Sequence, residues 1–340
     1  MSAARKVGGN TIRDVAALAG VSPGTASKAL NGTGQLREAT RQRVRAAARQ
    51  LDFEPNPVAR SLLSGRTYTV GIVTTDHSGR FSIPLMRGAE DVLGAGELAA
   101  FLCDSRGDPI RERHYVRLLL ARRVDGIIVA GRRTDPRPPL AADLPVPVVY
   151  AYNPSLDPAD CSVIADEPGG IRAAVEHLLQ AGRRRLAHVT GPSGHHSAAV
   201  RAEAFAAVLA EHGLAPVAPV RFGEWSEAWG RHAIESLLAA HPDVDAVLCG
   251  SDQIARGVAD QLRAAGRAVP RDVALVGVDN WRVFSQSSRP PLTTVDLNLE
   301  AIGRRAGELL LAAIAGTPRP GVHALPCRLV IRESSAPPDG

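Results

Sequence analysis

From Thr69 to Ile331 the chain repeats one pattern, a short run of β-branched and apolar residues followed by a longer segment with helical spacing. The strand candidates are TVGIV (69–73), LAAFLC (98–103), DGIIVA (125–130), PVVYA (147–151), RLAHVT (185–190), VRF (220–222), DAVLCG (245–250), VALVGV (273–278) and CRLVI (327–331). Apolar strands separated by helical stretches belong to parallel sheets covered on both faces. So many strands overfill a single sheet, which predicts an α/β region of two lobes. The length of 340 residues suits two or three units, and 45% apolar residues can fill a sizeable core.

The first 66 residues follow a different rule. Residues 11–52 read as three short helices. Thr11 with Asp14 three positions on has the form of a capping box, and Ile12, Val15, Ala16 and Ala19 make one apolar face. Gly20 ends that helix. Ser22 caps the next, with Pro23 at its first position, and Asn31-Gly32 stops it. A third helix over 38–51 buries Val44, Ala47, Ala48 and Leu51, leaving Arg41, Arg43, Arg45 and Arg49 for solvent or phosphate. Two short helices joined by Gly20-Val21-Ser22, with a third in support, form a helix-turn-helix pattern.

Charge divides at the same place. Residues 1–66 hold 11 Lys and Arg against 4 Asp and Glu, whereas the remainder is nearly neutral. A basic head on a neutral body suits a polyanion-binding module, although a basic solubilising tail would carry the same charge. Cys103, Cys161, Cys249 and Cys327 lie far apart without zinc spacing and read as free thiols in a reducing compartment. The N-terminal MSAARKVGGNTIRD lacks an apolar core of signal-peptide length, and no run would span a bilayer, so a cytoplasmic protein is expected.

The stretches TIRDVAALAGVSPGTASKALNG and ATRQRVRAAARQLDFEPNPVARSL strongly resemble the N-terminus of the lactose/galactose-repressor family. RRVDGIIV, VEHLLQAGRRRLAHVTGP, DAVLCGSDQIARG, DVALVGVDN, RPPLTTVDLNLEAIGRRA and CRLVIRES are similar to later blocks of that family, in the same order. The resemblance implies an α/β architecture in which a three-helix head joins a two-lobed, periplasmic-binding-protein-like domain with parallel sheets. The expected divisions are 10–55 for DNA binding, 56–66 for a hinge helix, and 67–335 for ligand binding and dimerisation. The first lobe would take 67–166 and 295–325, and the second 167–291 and 326–335.

The resemblance places DNA contacts at Thr11, Ser22, Thr25, Ser27, Lys28 and Asn31. Of these Lys28 best suits the acceptors N7 and O6 of guanine in the major groove. Ser22 and Asn31 also suit helix caps, and one exposed helix end can serve both purposes. Pro23 and Gly24 offer little to hydrogen-bond where relatives often read bases, Phe53 replaces a frequent tyrosine, and Arg37 replaces a capping serine. In the connector, Asn56, Ala59 and Leu62 recur on one helical face. The resemblance makes Leu62 a minor-groove wedge, which requires two such helices side by side on a pseudo-palindromic operator in double-stranded DNA. With no leucine heptad after the last strand, a homodimer is expected over a tetramer.

Sugar sites pair planar polar side chains with an aromatic ring against the sugar's apolar face. Arg201 in SAAVRAEAF and Asp279 in VGVDN match the family's effector-binding positions. Trp225 in GEWS suits either a stacking ring or a core filler. Asp76, Phe81, Tyr152 and Asp252 are further candidates, with His77, Asp166, Ser251 and Trp281 nearby. His195-His196 lacks a third ligand for a metal, and adjacent residues diverge on a helix. No Walker loop, GxGxxG after a strand, GxSxG elbow or HExxH is present, so no cofactor and no catalysis are expected. A secreted sugar-binding protein would share the lobes but not the basic head. The expectation is therefore a repressor governed by a small effector, a sugar, with no membrane partner.

Overall fold

Helix α1 (Ile12–Ala19) begins at a hydrogen-bonded corner, where Thr11 donates its backbone N–H (2.8 Å) and its hydroxyl (2.7 Å) to Asp14 Oδ2. The computed structural model describes residues 10–30, 34–53, 65–96, 98–141 and 143–336, in two units that divide between Thr67 and Tyr68. Asn31, Asn56, Ala59 and Leu62, with the connector's proposed hinge, lie outside the described residues. α1 ends at Gly20 (φ 63°), where the Gly20 N–H reaches Ala17 O and the Val21 N–H reaches Ala16 O. This paired bonding is a Schellman motif, and glycine adopts its left-handed corner without strain. α2 (Pro23–Leu30) starts on Ser22, whose Oγ accepts the Thr25 N–H at 3.1 Å. α3 (Glu38–Gln50) has Arg37 at its N-cap and no side-chain cap bond. The head's core is Val15, Ala16, Ala19, Ala26, Ala29, Val44, Ala47 and Ala48. With mostly alanines inside, its helices pack closely but bury little apolar area per residue.

The larger unit holds two six-stranded sheets. The first runs β11 (Gly321–Pro326), β5 (Cys161–Asp166), β4 (Val148–Ala151), β3 (Gly126–Ala130), β1 (Thr69–Thr74), β2 (Ala99–Asp104). The second runs β12 (Arg328–Val330), β10 (Thr293–Asp296), β9 (Ala274–Val278), β8 (Ala246–Cys249), β6 (Leu186–Thr190), β7 (Arg221–Phe222). All neighbours are parallel except β10 and β12. Each sheet with its helices forms a lobe, and the chain passes between lobes after β5, after β10, and between β11 and β12.

Three strands escape the sequence reading, namely β5, β10 and β11. β10 is buried but reads polar, because Thr293 and Thr294 bond Ser334, Arg332 and Asp252 inside the lobe. β11 is an edge strand with alternating exposure that ends in proline. Since β10 lies wholly in the second sheet, the chain returns to the first lobe after Asp296 rather than at the sequence boundary of Val295.

Both lobes use the same packing device. In the first, a Cβ on Gly88 would fall 1.8 Å from Glu300 O, and one on Gly303 would fall 1.9 Å from Leu85 O. In the second, a Cβ on Gly230 would fall 2.3 Å from Ile254 O, and one on Gly257 would fall 2.1 Å from Glu227 O. Helices Ser82–Ala95 and Leu299–Ile314, and likewise Glu227–Ala240 and Asp252–Ala264, thus meet backbone to backbone. Among the described residues no helix is long and apolar enough to cross a membrane.

Candidate functional site

Parallel strands bring their carboxyl ends to one edge, where the following loops can converge on a ligand. That edge of the two sheets encloses a cavity of about 260 Å³. Arg80, Phe81, Arg132, Arg133, Thr134 and Tyr152 line it from the first lobe, and His195, Ser197, Arg201, Trp225, Ser251 and Asp279 from the second.

Arg201, only 3% exposed, gives its Nε–H to Glu167 Oε2 at 2.5 Å and its Nη1–H to Gly250 O at 2.6 Å. Burial alone would pull its pKa down. Glu167 and Asp279 outweigh that and hold the guanidinium above its ordinary value. Asp279 follows β9 at φ 106°, and its N–H donates to Val295 O at 2.8 Å. Its carboxylate pairs across the cleft with Arg80. Burial pushes the Asp279 carboxyl up, against the pull of Arg80 and Arg201. The Arg80 guanidinium lies 4.3 Å from the Trp281 ring centroid and 4.9 Å from that of Phe81, so this first-lobe cation is gripped by the second lobe.

The apolar wall is aromatic. Phe81 and Tyr152 stack with centroids 5.3 Å apart at 19°. Trp225 lies against Gly191, where a Cβ would fall 2.1 Å from the ring, so glycine is what allows the indole to approach. The Trp225 Nε1–H donates to His195 Nδ1 at 2.8 Å. Trp225 packs on the second-lobe core with one part and walls the cavity with another.

Of the ligand candidates from sequence, Phe81, Tyr152, Arg201, Trp225 and Asp279 meet at this cavity. Asp76 and Asp252 do not line it. Asp76 accepts from the backbone of Phe81 (2.7 Å) and Ser82 (2.9 Å) and from the Ser78 hydroxyl (2.8 Å), tying down the loop that carries Arg80. Burial opposes its ionisation, but those bonds hold its carboxyl below the ordinary value. Asp252 takes the Thr294 hydroxyl at 2.5 Å and the Trp281 N–H at 2.7 Å, and so positions the residue that stacks on Arg80. Arg80, Arg132, Arg133 and Thr134 were missed. Their one signal was position, since each follows a strand of the first lobe as Asp279 follows one of the second. Among the described residues no cluster of His, Cys, Asp or Glu could hold a metal.

In the head, Ser22 and Lys28 are exposed, and Thr25 and Ser27 are half-buried, all on or beside α2. The Ser22 and Thr25 hydroxyls bond each other at 2.9 Å. Arg43, Arg45 and Arg49 are exposed, whereas Arg41 bends back to Gly34 O at 2.8 Å. Phe53 packs on the head core.

A helix-turn-helix head attached to a two-lobed domain with a polar and aromatic cleft defines a DNA-binding transcriptional regulator that carries a ligand site. Family comparison agrees. Residues 11–56 match the family described as bacterial regulatory proteins, lacI family, and residues 175–335 match a periplasmic binding protein-like domain. The HTH-type transcriptional regulator CelR of Thermobifida fusca is 34% identical over 335 residues, covering 95% of this chain and 98% of that one. Catabolite control protein A of Priestia megaterium is 33% identical, covering 96% and 99%. Among solved structures, a CelR–cellobiose complex superposes with TM-score 0.67 at 31% identity, covering 96% and 99%. A lac repressor dimer bound to operator and an anti-inducer superposes with TM-score 0.71 at 27% identity, with the same coverage. The chain belongs to the lacI family of bacterial regulatory proteins.

Proposed function

We propose that this regulator is a homodimeric repressor whose operator affinity is set by a carbohydrate bound between its lobes, and that it acts in the cytoplasm without catalysing a reaction. The observation that carries the reading is the cavity's construction, with Arg201 and Asp279 held by buried ion pairs beside the rings of Phe81, Tyr152 and Trp225. Fixed forks and carboxylates suit hydroxyl pairs, and rings suit a sugar's apolar face. The similar CelR structure, a complex with cellobiose, points the same way.

Ser22, Thr25, Ser27, Lys28 and Thr11 are the proposed DNA contacts of the described residues, in the division 10–55 for the head and 67–335 for the ligand domain. Dimerisation is supported by edge strand β2, whose first four residues, Ala99, Ala100, Phe101 and Leu102, are exposed. The test is a thermal-shift screen of carbohydrates, since a ligand that binds only the folded state raises its melting point. The Asp279→Ala variant should lose the shift given by any hit. A hit whose shift survives that substitution would place the site elsewhere.

A further inference from the structure

Resting on the carbohydrate reading, we infer that the effector is an anionic sugar, whose carboxylate or phosphate is taken up by Arg132 and Arg133 of the first lobe and His195 of the second. The cavity wall carries four guanidiniums against one carboxylate, Asp279. Two of the four are already committed, Arg80 to Asp279 and Arg201 to Glu167. Arg132 and Arg133 are exposed and form no ion pair among the described residues, yet both line this cavity and the neighbouring polar recess of about 450 Å³. The one carboxylate lining that recess, Asp135, already accepts the His196 N–H at 3.1 Å.

His195 adds a donor on the second-lobe wall. His195 Nδ1 accepts from the Trp225 indole, so in the neutral ring Nε2 carries the proton and donates. Burial, with Arg133 and Arg132 nearby, keeps that ring's pKa below its ordinary value. Among the described residues, the Thr134 hydroxyl is buried on the wall with no partner, and Arg80 Nε is likewise buried and unpartnered. A neutral sugar hydroxyl both gives and takes a hydrogen bond and needs acceptors as well as donors. Guanidiniums only donate, and they match the two oxygens of a carboxylate or phosphate. The hydroxyls of Thr134, Tyr152, Ser197 and Ser251 serve either kind of ligand, whereas the two guanidiniums without an ion pair find charge complementarity only in an oxyanion.

The test is a thermal-shift and calorimetric panel of matched pairs on the full chain. Each of galacturonate, glucuronate, cellobionate and glucose 6-phosphate is compared with its neutral parent. At least one acid should bind about tenfold or more tightly than its parent, and the Arg132→Gln, Arg133→Gln double variant should lose about tenfold for the acid. An unchanged melting point without ligand reports that the variant is folded, and Arg132→Lys should restore part of the loss. Uronates or aldonates binding without the phosphate, or the reverse, identifies which oxyanion is taken, and either supports the inference. Neutral parents binding as tightly as their acids, with the double variant indifferent, would overturn it and leave the carbohydrate reading standing. Citrate or inorganic phosphate binding in place of every sugar would support the anionic site and refute the carbohydrate. No shift with any member of the panel would overturn both.

Discussion

The head and the cleft hold their recognition groups in opposite ways. On α2, Ser22 and Lys28 stand in water, and the nearby arginines 43, 45 and 49 are exposed. In the cleft, the side chains of Arg201 and Asp279 are buried and ion-paired. Exposed charges act through a screened field and give up little stability if removed. Buried pairs are rigid and strongly bound to their surroundings, and breaking one leaves an uncompensated charge. DNA recognition should thus be sensitive to salt, with contact residues that can be replaced at little cost in stability, and ligand recognition the reverse.

The largest expected effect is salt on the head. With several phosphates neutralised per dimer, operator affinity should fall by roughly 10³-fold or more between 50 and 200 mM salt. Over the same range, ligand affinity read from the cleft should change only a few-fold. Equal salt slopes for the two would erase the contrast.

Next comes Arg201→Ala, which strands Glu167 inside the second lobe. It should abolish the ligand response and lower unfolding stability by about 3–5 kcal/mol. Trp225, Trp229 and Trp281 all belong to the ligand domain, so tryptophan fluorescence during urea denaturation reads that unit. Lys28→Ala, by contrast, should change stability by less than about 0.5 kcal/mol while weakening specific DNA binding by about 1–3 kcal/mol. A stable Arg201→Ala protein that still responds to ligand would show that the pair is dispensable.

Acid should separate the two regions further. Burial holds His188 neutral, with its pKa lowered from 6.5 to about 4. The unfolded chain then takes up a proton that the folded one refuses, so stability present above pH 6.5 is lost as pH falls toward 4. Between pH 7 and 5 this amounts to about 2 kcal/mol in the fluorescence-detected transition. The first 67 residues contain no histidine, so circular dichroism of their helices has no such source of loss. The smallest effect is Ser22→Ala, which removes the hydroxyl that takes the Thr25 N–H and should cost about 1 kcal/mol of head stability. A helix signal with an unchanged midpoint would show the cap to be redundant.

The contrast also explains what the sequence made legible. The head could be read in detail because its signals are local: Thr11 with Asp14, Gly20, and Ser22 before Pro23 act within a few residues of one another. In the cleft, Arg201, Asp279 and Trp225 were found through family position, Tyr152 through its place after a strand, and Phe81 through its place at the start of a helix. Arg80 was not, because its importance lies in a pairing with Asp279, 199 positions away. Asp76 and Asp252 carry the chemistry of ligand groups, but only the fold shows that Asp76 bonds its own loop and that Asp252 bonds the distant Thr294 and Trp281. β10 was overlooked for a related reason, since threonines read as polar until Ser334 and Arg332 are seen to satisfy them.

The most direct test measures the link between the two units. A duplex selected from a random pool by the full chain would be titrated by fluorescence anisotropy, with and without a saturating hit from the carbohydrate panel. The expected result is a change in operator Kd of about 5- to 150-fold, equivalent to 1–3 kcal/mol of coupling, with the same factor when ligand is titrated against the DNA-bound protein. An operator Kd that stays the same at saturating ligand, while the melting point still rises, would contradict a ligand-controlled regulator.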